Sequence, residues 1–426
     1  MIFLAADNDR NCIYSLSEHG WISVWKPEAN KGLRKTQTLG NLSKQAQDKA
    51  PGAPALAQGL KLISLHVIDR HESKSGIQLM ALSQNGVRLY FSTSSAYGAY
   101  GYGGQYGVME QKQLHLIHVR LPPVNLLHPD EQHRPQRANN LFGVTPQPQP
   151  APTSCIMKEL TFSTYVDGLL VASHPGDVDG KDFILGLAPD ISRIGSLGQA
   201  QSSTVPQPAV QPLYQSAGVQ PYSSSTVARN PLTEQATLLY IDGTVWAIAA
   251  TRSSGSSSNL NLSNSPEPTS TNELANQFSQ FRQEFLLVSN AGISHLVKRR
   301  VVDYLQDALE EAHAEGNLQP IIDFRDSYGR DQTCAMLLAL ASGNTNFAVD
   351  RTRYTLYDDV VCLTPELVGI ARQAFYDLAD KPIWVDRGYG NDSQGNVIFS
   401  GRREGFALYF ARLVRPIWTA KITKIG

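Results

Sequence analysis

The sequence predicts a chain that is mainly β and then α. A partial β-propeller of about four blades occupies residues 1–299, and the first helices of an α-solenoid occupy residues 300–426. Three observations carry this expectation. A hairpin frame of apolar strand, Ser-x-x-Gly and apolar strand recurs in IYSLSEHGWISVW (Ile13 to Trp25), LMALSQNGVRLYF (Leu79 to Phe91) and FLLVSNAGISHLV (Phe285 to Val297). Residues 60–120 hold four strands in succession, the outline of one propeller blade. From about residue 300 the apolar spacing becomes helical.

In the recurring frame, Gly20, Gly86 and Gly292 supply the positive φ of a tight turn. TYVDGLLVA (Thr164 to Ala172) is a looser copy turning at Asp167-Gly168, and TLLYIDGTVWAIA (Thr237 to Ala249) another turning at Asp242-Gly243. Residues 1–38 supply part of a first blade, and LKLISLHVI, IQLMALS, VRLYFS and QLHLIHVRL make the second. Residues 156–188 and 236–299 supply later ones. A strand that starts directly at Met1 suggests that further blades lie upstream. Three segments interrupt the pattern: residues 121–153 with eight prolines, 190–233 rich in Ser, Gln and Pro, and 252–275 rich in Ser and Asn. Such compositions bury too little apolar surface to offset ordering entropy, so they read as disordered loops.

In the helical part, VVDYLQDALEEAHAEG puts Val301, Leu305, Ala308, Leu309 and Ala312 on one face, with Gly316 as terminator. RDQTCAMLLALASG (Arg330 to Gly343) is a largely apolar second helix. A third opens with Thr364 as N-cap and Pro365 in its first turn, and Pro382 lies beyond its end. A Gly-rich polar connection over residues 383–402 leads to a fourth helix, Arg403 to Trp418.

Composition excludes several classes. Charged residues are 18% of the chain and the net charge is -1, so no global field favours nucleic acid. Cys12, Cys155, Cys334 and Cys362 form no C-x-x-C pair, which points to reduced thiols in an intracellular protein. MIFLAADNDRN lacks the basic and long apolar regions of a secretory signal, and no apolar run approaches a membrane span.

The motifs that invite chemistry each read more simply as structure. The stretch SSAYGAYGYGGQYG (Ser94 to Gly107) holds four tyrosines and five glycines but no Arg or Lys. It leads into a strand, and Tyr106 stands where G-x-G-x-x-G would need glycine after Gly101 and Gly103, so it is an inter-strand loop. His115 and His118 are three apart on a strand, and strict alternation points them to opposite sides. His128 and His133, with Asp130 and Glu131, fall in a Pro-rich loop. Asp307, Glu310, Glu311 and Glu315 form the polar face of a helix, and Tyr357-Asp358-Asp359 a turn. Lys298-Arg299-Arg300 reads as a solvated strand-to-helix junction. No catalytic, cofactor-binding or metal-binding residue is assigned, and no enzyme activity is expected. Phe-Gly occurs once, at Phe142-Gly143, so this is not an FG-repeat protein.

Several segments, taken in order, resemble the large inner-ring scaffold nucleoporin family of the nuclear pore complex. They are AADNDRNCIYSLSEHGWISVW (Ala5 to Trp25), GVRLYFSTS (Gly86 to Ser94), HVRLPP (His118 to Pro123), FLLVSNAGISHLVKRRVVDYLQDAL (Phe285 to Leu309), DQTCAMLLALA (Asp331 to Ala341) and FSGRREGFALYFARLVRPIW (Phe399 to Trp418). The resemblance implies an N-terminal β-propeller plus α-solenoid, of which this chain is a fragment. It implies a structural constituent of the pore that supports assembly and nucleocytoplasmic transport beside the curved nuclear membrane. Implied partners are linker and scaffold nucleoporins and pore membrane proteins, with peripheral contact to the nuclear envelope and no direct nucleic acid. Vesicle-coat and trafficking scaffolds share the same plan and form the alternative.

Overall fold

A computed structural model describes residues 2–28, 32–57, 59–70, 72–73, 76–93, 113–123, 126–127, 154–155, 157–178, 180–189, 234–251, 273–278, 282–343, 345, 363–385 and 396–418. The chain divides into two compact units. One comprises residues 1–189, 234–271 and 282–298, the other residues 190–233, 272–281 and 299–426.

The first unit is a four-blade β-propeller arrangement built from sequential antiparallel meanders. Blade 1 is β1 (Phe3–Asp7), β2 (Cys12–Leu16), β3 (Ile22–Glu28) and β4 (Gly32–Leu39), a complete four-stranded sheet rather than part of one. The helices α1 (Leu42–Lys49) and α2 (Pro54–Ala57) lead to blade 2. That blade is β5 (Leu62–Val67), β6 (Ile77–Ser83), β7 (Arg88–Ser92) and β8 (His115–Arg120). Residues 94–107 connect β7 to β8 and lie outside the described residues. A two-stranded ladder pairs β9 (Leu126–Leu127), inside the stretch expected to be disordered, with β10 (Ser154–Cys155) just beyond its end. Blade 3 is β11 (Ser163–Val166), β12 (Leu169–Pro175), β13 (Lys181–Pro189) and β14 (Glu234–Asp242). Blade 4 is the three-stranded β15 (Val245–Ala250), β16 (Glu284–Ser289) and β17 (Gly292–Val297).

Turn chemistry explains most of the register. Gly20 and Gly86 adopt φ of 74° and 83° at the expected turns. Asp167 and Gly168, at φ 46° and 83°, close β11 onto β12, as a two-residue hairpin with both central φ positive requires. Asp242-Gly243 does something else. All nine residues of β14 pair backwards with β13, from Glu234↔Pro189 to Asp242↔Lys181, and β14 is the edge strand of its blade, while the following strand β15 pairs with β16. The chain crosses into blade 4 instead, held by a Gly243 N–H bond to the Gly180 carbonyl (2.7 Å) and by Val245 N–H on Asp182 Oδ2 (2.8 Å).

Strand alternation divides the apolar residues among three inter-blade cores. Leu79 and Ala81 of β6 face blade 1, packing with Tyr14, Leu16 and Ile22. Met80 and Leu82 of the same strand face blade 3, packing with Leu170, Ala172, Phe183 and Leu185. Leu169, Val171 and Ile184 in turn meet Val245, Phe285 and Leu287 of blade 4. At roughly 25 cal/mol per Å2 of apolar surface, each such sandwich contributes several kcal/mol before entropy is subtracted. The remaining faces of blades 1 and 4 carry exposed apolar side chains, among them Leu4, Leu286 and Ile293.

The second unit is helical. It contains α3 (Glu273–Asn276), α4 (Val301–Glu315), α5 (Gln319–Tyr328), α6 (Arg330–Ala341), α7 (Pro365–Asp377) and α8 (Gly401–Trp418), plus a hairpin of β18 (Ile383–Val385) with β19 (Asn396–Ile398). The expected face of α4 is buried, and Gly316 ends the helix at φ 62°. Thr364 caps α7 by accepting the Leu367 N–H at 3.4 Å. Three features depart from expectation. Residues 273–275, read as loop, begin a helical turn whose Leu274, with nearby Phe278, packs on Val301 and Leu305. α5 fills the stretch between two anticipated helices. The connection read as polar over residues 383–402 contains the β18–β19 hairpin. Segment 190–233 lies outside the described residues.

Candidate partner-docking surfaces

The propeller unit offers one grouping that looks reactive. Ser64 and His66, two apart on β5, share a face, and Ser163 of β11 reaches across from the next blade. Ser64 Oγ lies 2.7 Å from Ser163 Oγ, and His66 Nε2 lies 3.0 Å from both hydroxyls. A serine against a histidine is the start of a nucleophile–base pair. Among the described residues no carboxylate hydrogen-bonds the imidazole, and Ser64 and His66 are buried. Burial lowers the His66 pKa from 6.5 to about 4, so the ring is neutral and joins two blades by hydrogen bonds.

A second inter-blade tie is ionic. Arg88 on β7 is 2% exposed and forks onto both carboxylate oxygens of Glu234 at the start of β14, the Nη2–Oε2 bond being 2.7 Å. Arg120 adds a contact to the same carboxylate at 3.5 Å. Arg88 lies within the segment GVRLYFSTS, so that conspicuous stretch carries structure.

The helical unit exposes apolar side chains on α8 and on the β18–β19 hairpin. One face of α8 is internal: Gly405, Tyr409 and Arg412 lie against the core, with Tyr409 Oη 2.9 Å from Ser342 Oγ. The opposite face shows Phe406, Phe410 and Leu413 at helical spacing, Phe406 being 57% exposed. The Phe406 and Phe410 rings stack at 6.2 Å. The β18–β19 hairpin, which precedes α8 in the chain, exposes Ile383, Trp384, Val397 and Ile398, with Trp384 64% exposed. Phe399 follows β19, its ring covered by the Arg403 guanidinium at 3.3 Å. Exposed aromatic and aliphatic side chains of this kind make both elements candidates for partner contact. The hairpin was missed in the sequence, although PIWV and NVIF flank the Gly-rich stretch as two short apolar runs.

The basic junction is not uniformly solvated. Arg300 is buried: its backbone N–H and side chain bond Asp303 (2.8 Å each), and its Nη1 donates to the carbonyls of Thr345 (2.7 Å) and Gln277 (3.1 Å). The Gln277 side chain accepts the Val302 N–H at 2.9 Å. These groups satisfy the open N–H groups of the first turn of α4. An acidic residue three after Arg300 was the available signal. Arg299 pairs with Asp307 at 2.6 Å and lies 4.9 Å over the Tyr304 ring.

His115 and His118 also depart from expectation. A bulge shifts the β7–β8 register, pairing Phe91 with Leu116 but Tyr90 with His118. Leu116 and Val119 therefore enter the same core despite their odd spacing, so strict alternation fails between the two histidines. His118 packs against Tyr90, ring centroids 6.0 Å apart. No group of three or more His, Cys, Asp or Glu among the described residues is arranged to hold a metal ion. His128, His133, Asp130, Glu131 and Tyr357-Asp358-Asp359 lie outside the described residues. Among the described residues no helix is long and apolar enough to cross a membrane.

A nucleoporin family model, described as Nup133 N terminal like, matches residues 2–295, nearly all of the propeller unit. The chain belongs to this nucleoporin family. Within curated members it is 26% identical over 439 residues to nucleoporin NUP170 of Chaetomium thermophilum, which aligns 99% of this chain with 27% of that protein. It is 24% identical over 448 residues to the probable nucleoporin C890.06 of Schizosaccharomyces pombe, at 97% of this chain and 30% of the relative. The chain thus spans under a third of the length of these relatives. Among solved structures, the crystal structure of a complex of the C. thermophilum Nup170 N-terminal domain with Nup53 matches with a TM-score of 0.65 and 23% identity. The match covers 99% of this chain and 50% of that one, and shows a shared fold.

Proposed function

We propose that this nucleoporin is a structural constituent of the nuclear pore complex, an inner-ring scaffold that supports pore assembly and nucleocytoplasmic transport. The observation that carries the reading is the family match over residues 2–295. The mechanism is assembly without catalysis: rigid blades and a helical unit offer faces to partners. In this proposal residues 1–299 form the propeller part and residues 300–426 begin the solenoid. The solved relative is a complex with Nup53, which supports other nucleoporins as partners. Pore membrane proteins, peripheral envelope contact and the absence of direct nucleic-acid binding belong to the same proposal.

The candidate docking side chains are Phe406, Phe410 and Leu413 of α8 and the exposed residues of the β18–β19 hairpin. The test is fluorescent tagging of the whole protein in cells. A punctate nuclear rim is the expected result, and cytoplasmic puncta would support the vesicle-coat alternative. In vitro, linker-nucleoporin peptides should bind with no turnover of any substrate.

A further inference from the structure

We propose that the cleft between blades 1 and 2 of the propeller binds a small, soluble phosphate ester, with Arg10, Lys26 and Arg70 as its cationic receptors. The cleft measures about 560 Å3, the size of a small-molecule site. Its walls are β2, β3 and β4 of blade 1 and, in blade 2, the β5–β6 connection, β6 and the residues next to β7 and β8. These three cations line it, and among the described residues no Asp or Glu does. The whole chain has a net charge of -1, so this charge is a local feature.

Arg10 is the built part of the site. It stands in the turn between β1 and β2, its side chain 13% exposed. Asp7, whose side chain is fully buried, accepts the Arg10 backbone N–H and Arg10 Nη1 at 2.9 Å each, and the Tyr14 hydroxyl at 3.3 Å. The same Nη1 donates to the carbonyl of Ile68, next to β5, at 3.1 Å. One nitrogen thus ties the guanidinium to both blades. Among the described residues Nε and Nη2 donate to no protein group, and neither is sealed from solvent. A planar guanidinium anchored at one corner, with N–H donors left open, is the half-made fork that an oxyanion completes. Asp7 offsets the charge of Arg10, and Lys26 and Arg70 supply the surplus, neither forming an ion pair among the described residues. Asp9 fixes the loop that carries Arg70 by accepting its backbone N–H at 3.2 Å. Two guanidinium groups and an ammonium around one cavity match a dianionic phosphate better than a single carboxylate. The cleft reaches down to Gln78, 8% exposed, and hydroxyls and amides such as Thr36, Ser73 and Gln113 line it, which suits a compact polyol body. A membrane plane or a duplex meets only the outermost charges and cannot carry a phosphate down to Arg10. The assignment goes beyond the pore reading and does not depend on it.

The experiment is isothermal titration calorimetry of the full chain with inositol trisphosphate, and with inositol as the unphosphorylated control. Saturable binding of the trisphosphate and none of inositol is expected. The Lys26→Ala/Arg70→Ala variant changes two exposed side chains, so it should keep its thermal midpoint and bind about tenfold or more weakly. Arg10→Lys keeps a cation against Asp7 but loses the open fork, and it should also weaken binding by about tenfold. No saturable binding at low ionic strength, affinity unchanged by both variants, or equal affinity for inositol would overturn the assignment. So would flotation with vesicles carrying phosphatidylinositol bisphosphate if the soluble trisphosphate did not bind.

Discussion

Arg88 is a charge at 2% exposure whose partner, Glu234, comes from a different blade. Removing one member of such a pair leaves the other without its counter-charge, so Arg88→Ala is expected to destabilise by about 3–5 kcal/mol. Arg88→Met combined with Glu234→Leu should recover most of that loss. A double-mutant cycle by urea denaturation measures both, and a purely additive cycle would mean the pair does not couple. His66 makes the propeller acid-sensitive in a defined window. Its pKa is 6.5 when unfolded and about 4 when folded, so the unfolded chain binds more protons between these values. The contribution is complete above pH 6.5 and is lost as pH falls to about 4, on the order of 3 kcal/mol. His66→Gln should flatten the stability profile across that window, and an unchanged slope would place the sensitivity elsewhere. Neither role was legible in the sequence, because the contacts join residues 146 and 97 positions apart.

At the scale of elements, local chemistry was readable wherever one strong signal acted alone. The apolar stripe of α4 with Gly316, the Thr364 cap and the Asp167-Gly168 turn each specify their conformation within a few residues. Asp242-Gly243 presents the same dipeptide and behaves differently: β14 pairs with β13 and β15 with β16, partners that no local window contains. The β18–β19 hairpin escaped notice because each strand is only three residues long. The packing of α8 on α6 gives a sharp test. A Cβ added at Gly405 would fall 3.0 Å from the Ala335 backbone nitrogen and 3.1 Å from the Cys334 carbonyl carbon. These are backbone atoms that cannot swing away. Gly405→Ala is therefore expected to lower stability by about 1–3 kcal/mol, outweighing the roughly 1 kcal/mol gain in helix propensity. A raised thermal midpoint in the variant would show that the helices can part to admit the methyl group.

At the scale of the whole molecule, repetition made the architecture legible: Ser-x-x-Gly hairpins spaced along the β part, then a change of period. The docking surfaces were less legible. Exposure of Phe406, Phe410 and Trp384 depends on which neighbours cover them, and an aromatic on α8 reads the same whether it faces core or solvent. The inter-blade cores carry one more consequence. Because β6 and β12 supply alternate side chains to two cores each, blades 2 and 3 are held from both sides, whereas among the described residues of this chain blades 1 and 4 each join one inter-blade core. The amides of β15 to β17 can therefore open by disrupting a single core, and those of β6 and β12 only by disrupting two. Native-state hydrogen exchange should show a gradient along the row of blades, with β16 exchanging well before β6 and β12. One common rate for all would indicate that the blades melt as a single block. With the gradient, the propeller yields from its ends inward, like a stack losing its outer plates first.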